Sequence, residues 1–317
     1  MTTPVEFGLL AMYAEDMYVD GSLIPAAEPR IAAAGWDIVG YITGQDVLIP
    51  SPDASRQRLS VNHAQRVFYG FLAKSKSDPT SFVAVVRGTD GLVEWLIDAE
   101  FLLVPHPSVP GVQIEQGFWS IYQTMSLTVG ATTFQNAAEG IAQTVGANTL
   151  TVVGHSLGSA LATYLTDDLA RFPGITLSAC LFASPRTGDA SWAARFQARR
   201  YQLFNYILDL VTHVPSLGYA TLPNATLIMP KTAQTGIRLD IFCNHHVVCY
   251  CAMIGCAATM PATTSPQDAK CVVCISLPVP QPMSKAALGL ADVIEDFGVG
   301  DQKAVAMLKA LHSISSV

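Results

Sequence analysis

Charged residues are scarce in this chain, and those present leave a negative balance. Only 14% of the 317 residues are charged, and 18 basic residues stand against 25 acidic ones. Nucleic-acid binding depends on clustered cations that neutralise phosphates, and the sequence contains no block of Lys and Arg. The composition therefore argues against a nucleic-acid partner, and the net charge of −7 provides no electrostatic attraction to an anionic membrane.

The sequence also lacks a long apolar run and a recognisable secretory leader. Its most apolar tract, 247–260, is shorter than the roughly 20 residues that a membrane-spanning helix needs. We therefore expect a buried helix there and no transmembrane segment. The N-terminal residues show neither a basic region nor an apolar one, which leaves open secretion by another route or a cytoplasmic location. Nothing in the composition fixes an oligomeric state.

Cysteine is almost absent until late in the chain, where it becomes concentrated. Of seven cysteines, all but Cys180 lie between positions 243 and 274. Their spacing matches no established metal-binding pattern, although Cys271 and Cys274 together with Cys249 and Cys251 form a conceivable zinc set. Disulfides that tie down this segment and reduced thiols buried in a core are the two alternatives that the pattern favours over a metal.

Strands and helices are predicted to alternate between about residues 80 and 210. Apolar and β-branched runs predict strands at 35–42, 67–73, 81–86, 149–153, 177–183 and 201–208, and helical periodicity predicts helices at 7–13, 114–125, 132–145, 157–171 and 190–199. This alternation is typical of an α/β fold with a mostly parallel central sheet and helices on both faces. No shift in composition divides the chain, so we expect one domain over 1–317, in which 251–317 forms a Cys- and Pro-rich, helical extension.

The most informative motif is Gly154-His155-Ser156-Leu157-Gly158, a G-x-S-x-G pattern between a predicted strand and a predicted helix. Such a turn presents a serine hydroxyl on a sharp corner, and its glycines allow the strand and the helix to pack closely around the bend. The context predicts that Ser156 is a nucleophile.

A nucleophilic serine needs a base, usually a histidine that a carboxylate orients. Asp209 follows the predicted strand 201–208, which places it at the carboxyl edge of a parallel sheet, and Asp240 is the second candidate for the acid. His245 and His246 lie downstream at the start of an apolar stretch, and either residue could be the base, with His245 preferred.

With these residues assembled, the chain resembles the lipase class 3 family, which includes triacylglycerol lipases of filamentous fungi. The matching segments, in chain order, are Arg87-Gly88-Thr89, Trp95-Leu96-Ile97-Asp98, Gln116-Gly117-Phe118 with Tyr122, the G-x-S-x-G turn, Ala183 to Asp189, Asn205 to Pro215, and His245 followed by Tyr250. The resemblance covers about residues 30–250. One departure is Glu115, which stands where the family usually has a histidine.

The resemblance implies an α/β-hydrolase fold with a short lid and assigns roles by position. Ser156 becomes the nucleophile, Asp209 the acid and His245, or His246, the base. The backbone amides of Thr89 and Leu157 become the oxyanion hole. The lid and substrate-contacting residues implied are Leu92, Val93, Trp95 and Leu96. No metal or organic cofactor is implied.

The function expected from this likeness is that of a triacylglycerol lipase, a carboxylic ester hydrolase that cleaves acylglycerols through an acyl-enzyme. The expected partner is a lipid ester substrate. A phospholipase A1 or a soluble esterase of the feruloyl type is the alternative within the same fold. An inactive lipid-binding relative and an acyltransferase that uses an alcohol acceptor are alternatives from other functional classes.

Overall fold

The computed structural model describes residues 3–20, 22–46, 65–89, 101–206, 209–228 and 244–256. The predicted lid residues, the alternative acid Asp240 and the extension beyond 256 lie outside these ranges. The division of the chain into one domain with an extension therefore stays a prediction.

A mixed, nine-stranded sheet forms the centre of the described structure. Its strands, in chain order, are β1 (Trp36–Asp46), β2 (Gln65–Ser75), β3 (Ser81–Val86), β6 (Ser126–Val129), β7 (Thr132–Phe134), β8 (Thr149–His155), β9 (Thr176–Phe182), β10 (Tyr201–Tyr206) and β11 (Thr226–Ile228). The spatial order is β11-β10-β9-β8-β3-β2-β1-β6-β7. Every pairing from β11 to β3 is parallel, and every pairing from β3 to β7 is antiparallel. A separate hairpin pairs β4 (Leu103–Pro105) with β5 (Gln113–Glu115).

Helices flank this sheet. The helices of the described residues are α1 (Pro4–Asp16), α2 (Pro29–Ala33), α3 (Gln116–Gln123), α4 (Ala137–Val145), α5 (Leu157–Leu169), α6 (Ala190–Ala194) and α7 (Val247–Ile254), with 3-10 turns at Met17–Asp20 and Leu210–His213. Several begin at side-chain caps that satisfy a free backbone N–H, as Thr3 does for α1, Asn136 for α4 and Asp189 for α6.

The core has two halves, one on each face of the sheet. Alternate side chains of β3 separate between them: Phe82, Ala84 and Val86 belong to the half that contains α5, whereas Val83 and Val85 belong to the half that contains α1 and α7. Because a strand buried on both faces cannot alternate apolar with polar residues, β3 reads as a continuous apolar run. The prediction of a central strand at 81–86 is confirmed.

Two helix predictions began too early. The predicted helix 114–125 starts only at Gln116, because Ile114 and Glu115 belong to β5, and the Glu115 carboxylate caps α3 by accepting the Phe118 N–H at 2.6 Å. The predicted helix 132–145 starts at Ala137, since Thr132–Phe134 pairs with β6. In both cases a short strand precedes the helix, and three residues carry too little periodicity to reveal it.

The predicted helix in the apolar tract is confirmed as α7, whose side chains pack against α1. A disulfide joins Cys251 to Cys256 at its C-terminal end, which removes Cys251 from the conceivable zinc set. Cys180 is a buried, reduced thiol on β9, whereas Cys243, Cys271 and Cys274 lie outside the described ranges. In the part of the chain that the structure describes, no helix has the length and apolar character needed to span a bilayer.

Candidate active site

Parallel pairing brings the predicted site residues to one edge of the sheet. β3, β8 and β10 run in the same direction, so the segments that follow their carboxyl ends emerge at the same edge of the sheet. These segments carry Thr89, Ser156 and Asp209, respectively. In open α/β sheets, this is the edge where ligands bind.

Ser156 occupies the turn between β8 and α5 with a backbone φ of 59°. A non-glycine residue in this left-handed region costs about 1–3 kcal/mol and is typical of functional sites. A side chain at Gly158 would overlap the backbone carbonyl of Val86, and one at Gly154 would overlap that of Gly158. The two glycines therefore allow α5 to start directly against β3 and β8.

His245 lies against Ser156. The Ser156 Oγ is 2.6 Å from the His245 Nε2, so the hydroxyl donates to the imidazole when that nitrogen is unprotonated. Both side chains are buried. His246, the alternative base, is the N-cap residue of α7. Of the two candidate histidines, the structure places His245, which the sequence analysis preferred, in contact with Ser156.

Asp209 completes the constellation from the other side of the ring. Its Oδ2 lies 2.9 Å from the His245 Nδ1, and the Tyr250 hydroxyl donates to the same oxygen at 2.6 Å. The Val211 N–H donates to Oδ1 at 3.0 Å. The Tyr206 N–H in turn donates to the Tyr250 hydroxyl oxygen at 2.8 Å. The buried carboxylate is therefore satisfied by several donors, as a charge in the interior requires.

Burial dominates the electrostatics of His245. Desolvation lowers the pKa of His245, attraction to Asp209 and its hydrogen bond oppose this effect, and His155 and His246 lower the pKa further. On balance the pKa lies below its ordinary value, so the ring is neutral near pH 7 and can accept the serine proton. Burial also holds the pKa of Tyr250 well above its usual value, which keeps its hydroxyl protonated as a donor.

The predicted oxyanion residues flank Ser156 from two elements. Leu157 is the first residue of α5, so its amide N–H has no carbonyl within the helix to bind. Thr89 follows the end of β3, where Arg87 fixes the backbone: its Nε donates to the Phe68 carbonyl at 2.7 Å and its Nη1 to the Gly88 carbonyl at 2.5 Å. The structure thus places both residues at the edge that carries Ser156.

A second polar cluster lies directly behind the turn, and sequence analysis did not predict it. The Glu15 carboxylate, on α1, is 2.7 Å from the His155 Nδ1 and accepts the Gly88 N–H at 3.3 Å. The other ring nitrogen, Nε2, donates to the backbone carbonyl of His245 at 2.8 Å. Tyr250 was noted in the sequence only by its spacing from His245, and its contact with Asp209 was also missed.

No metal site accompanies these residues in the described ranges, where no group of three His, Cys, Asp or Glu side chains is arranged to hold an ion.

Parts of the chain are similar to known proteins. The sequence model of the lipase (class 3) family matches residues 83–219. The secreted mono- and diacylglycerol lipase A of Penicillium cyclopium is 30% identical over 183 residues, which are 53% of this chain and 58% of the relative. Phospholipase A1-IIgamma of Arabidopsis thaliana is 30% identical over 161 residues, which are 42% of this chain and 38% of the relative. The chain therefore spans little more than half the length of the first curated relative and less of the second.

A solved structure shares the fold. The lipase of Rhizomucor miehei in its propeptide complex aligns with a TM-score of 0.51 and 20% identity, over 71% of this chain and 66% of that chain. At this level of identity the likeness concerns the fold, and it confirms the predicted α/β-hydrolase architecture.

Proposed function

We propose that the chain is a member of the lipase (class 3) family and a serine ester hydrolase that cleaves acylglycerols. The observation that carries the proposal is the 2.6 Å contact between the Ser156 Oγ and the His245 Nε2, with the Asp209 carboxylate 2.9 Å from the opposite ring nitrogen. A hydroxyl, an imidazole and a carboxylate in this order form the relay that activates serine nucleophiles on several unrelated folds.

In the proposed reaction, the Ser156 Oγ attacks the ester carbonyl while the His245 Nε2 takes the hydroxyl proton. Asp209 accepts the Nδ1–H and stabilises the imidazolium that forms. His245 then protonates the departing alcohol, which leaves an acyl group on Ser156. Water, activated by the same imidazole, attacks this acyl-enzyme and releases the fatty acid.

The amides of Thr89 and Leu157 are proposed to bind the oxyanion of each tetrahedral intermediate. Their support is positional, because both belong to segments fixed beside Ser156, one by the Arg87 guanidinium and the other by the start of α5. Removing one preorganised donor of this kind typically costs about 3–4 kcal/mol of transition-state stabilisation. Leu92, Val93, Trp95 and Leu96 stay candidates for substrate contacts.

The substrate class draws support from the relatives. The Penicillium relative is a mono- and diacylglycerol lipase, which favours acylglycerols. The Arabidopsis relative is a phospholipase A1, and this makes cleavage of a phospholipid acyl ester the second candidate.

A paired assay tests the proposal. Fatty-acid release is measured from tributyrin, through its solubility limit, and from dioleoylphosphatidylcholine vesicles. Ser156→Ala serves as the inactive variant, and Ser159→Ala, which removes a buried serine hydroxyl in the helix that follows Ser156, serves as the matched control. We expect faster release from tributyrin, lost in Ser156→Ala and kept in Ser159→Ala.

The other outcomes are equally informative. Faster release from the phospholipid would replace the acylglycerol assignment with the phospholipase assignment. Equal activity of wild type and Ser156→Ala on both substrates would contradict the serine mechanism.

A further inference from the structure

Glu15 lies at the C-terminal end of α1, far in sequence from every proposed catalytic residue. Its side chain is nevertheless only 15% exposed and faces the turn that carries Ser156. The carboxylate contacts the Gly88 N–H at 3.3 Å and the His155 Nδ1 at 2.7 Å. Gly88 precedes the proposed oxyanion residue Thr89, and His155 precedes the proposed nucleophile.

His155 extends this contact to the base. Its Nε2 is 2.8 Å from the backbone carbonyl of His245, and the two imidazole centroids are 5.2 Å apart. A carbonyl oxygen only accepts hydrogen bonds, so Nε2 carries a proton. The partner of Nδ1 is a carboxylate, which also accepts when ionised. The two contacts together favour an imidazolium at His155 bound to an ionised Glu15.

We propose that Glu15 is a positioning residue. Through His155 it holds the backbone of His245, and through the Gly88 N–H it holds the segment that carries Thr89 in place beside Ser156. This inference rests on the proposed function and goes beyond the three-residue relay. The ion pair also has an electrostatic effect. It keeps the positive charge of His155 beside His245, while the negative charge of Glu15 leaves the net charge of the site unchanged.

The charges around the base define what the pair can change. Asp209 lies 2.9 Å from the His245 Nδ1 and accepts the Tyr250 hydroxyl, the His155 ring lies 5.2 Å from the His245 ring, and His246 acts on His245 electrostatically. Burial would lower the pKa of His155, but the Glu15 carboxylate and the hydrogen bonds raise it above its ordinary value. Burial would raise the pKa of Glu15, yet the charge and hydrogen bond of His155 hold it below its usual range. A cation at His155 opposes protonation of His245.

Glu15→Gln is the sharpest perturbation. The amide can still accept from Gly88 and can donate to a neutral His155 Nδ1, so the contacts survive while the charge is lost. Glu15→Ala removes the contacts as well. Glu6→Gln is the matched control, since Glu6 lies on the same helix but accepts from the Trp36 Nε1 at 2.8 Å, away from the site.

The experiment measures kcat and KM for p-nitrophenyl butyrate as a function of pH. In Glu15→Gln we expect the acid limb of the pH profile of kcat/KM to move to higher pH. The reason is that a neutral His155 no longer repels the positive charge that His245 gains on protonation. In Glu15→Ala we expect an additional fall in kcat of about 10- to 100-fold from misplacement of the reacting groups, with KM little changed. Glu6→Gln should match wild type.

A readout that does not require activity accompanies the kinetics. The ¹⁵N and ¹H shifts of the wild-type His155 ring should report protons on both nitrogens at pH 7, and the ring of Glu15→Gln should be neutral. Wild-type kinetics and pH profile in Glu15→Gln, or a neutral His155 ring in wild type, would overturn the inference. If wild type hydrolysed no ester, the proposed function would fail, and the ring shifts alone would decide the charge state of this cluster.

Discussion

Tyr250→Phe removes one hydroxyl and leaves the serine, the imidazole and the carboxylate in place. The Tyr250 hydroxyl donates to the Asp209 Oδ2 at 2.6 Å and accepts the Tyr206 N–H at 2.8 Å, and both bonds are buried. The substitution therefore takes a donor from a buried carboxylate and strands a backbone N–H. Asp209 keeps the Val211 N–H and the His245 ring as donors.

The two losses predict the size of the effect. A hydrogen bond to a charged group contributes about 1.5–3 kcal/mol, and a buried donor left without an acceptor costs about 1–3 kcal/mol. Because the contributions are not additive, we expect unfolding to become easier by about 2–4 kcal/mol. With one donor fewer, the Asp209 carboxylate forms a stronger hydrogen bond to the protonated His245 ring. Protonated His245 is thereby favoured, and the acid limb of the pH profile of kcat/KM moves to higher pH. We expect kcat to fall by at most about 100-fold, well short of the ~10⁴-fold loss expected for Asp209→Asn.

The assay combines thermal unfolding with a pH–rate profile on a soluble ester. Tyr164→Phe is the matched control, because its buried hydroxyl donates to the Thr187 carbonyl at 2.7 Å without touching the proposed site. It should lose stability and keep the wild-type acid limb. The reasoning is refuted if Tyr250→Phe leaves both stability and acid limb unchanged, or if it reduces kcat as severely as Asp209→Asn does.

Two further predictions follow from the same region. Gly88→Ala should abolish most activity and lower the melting temperature, because its Cβ would lie 2.9 Å from a Glu15 oxygen and 3.1 Å from the Ser156 Cβ; near-wild-type turnover in a folded variant would contradict this packing. The wild-type acid limb of kcat/KM should have its midpoint below the ordinary histidine pKa of about 6.5, since the net lowering of the His245 pKa keeps the base neutral to lower pH. A midpoint above that value would show that Asp209 outweighs burial.

Sequence patterns predicted those site residues that directly follow parallel strands and therefore lie at one edge of the sheet. The glycines around Ser156 and the position of Asp209 after β10 are local consequences of where strands end. The position of a strand end does not distinguish two adjacent histidines, because the local backbone conformation decides which of the two rings points toward the serine. The resemblance favoured His245 through its spacing to Tyr250, and the 2.6 Å contact with Ser156 supports the same choice by geometry.

The Glu15 cluster could not be predicted in the same way. Glu15 and His155 are 140 residues apart in the sequence, and the antiparallel strands lie between them along the chain. Their contact exists because α1 packs on the face of β3 and β8. A carboxylate near the end of a helix ordinarily reads as a solvated residue, and nothing in the local pattern marks it as buried. The short strands β5 and β7 were missed for a related reason, since pairing partners rather than their own residues define them.

The central claim is that Ser156 is a nucleophile activated by His245. The most direct test is labelling with a fluorophosphonate, followed by mass-spectrometric mapping of the modified residue in wild type, His245→Ala and His246→Ala. The account predicts a phosphonylated Ser156 in wild type and in His246→Ala, and labelling that is slowed by orders of magnitude in His245→Ala. Label on another residue, or equally fast labelling of Ser156 without His245, would contradict it.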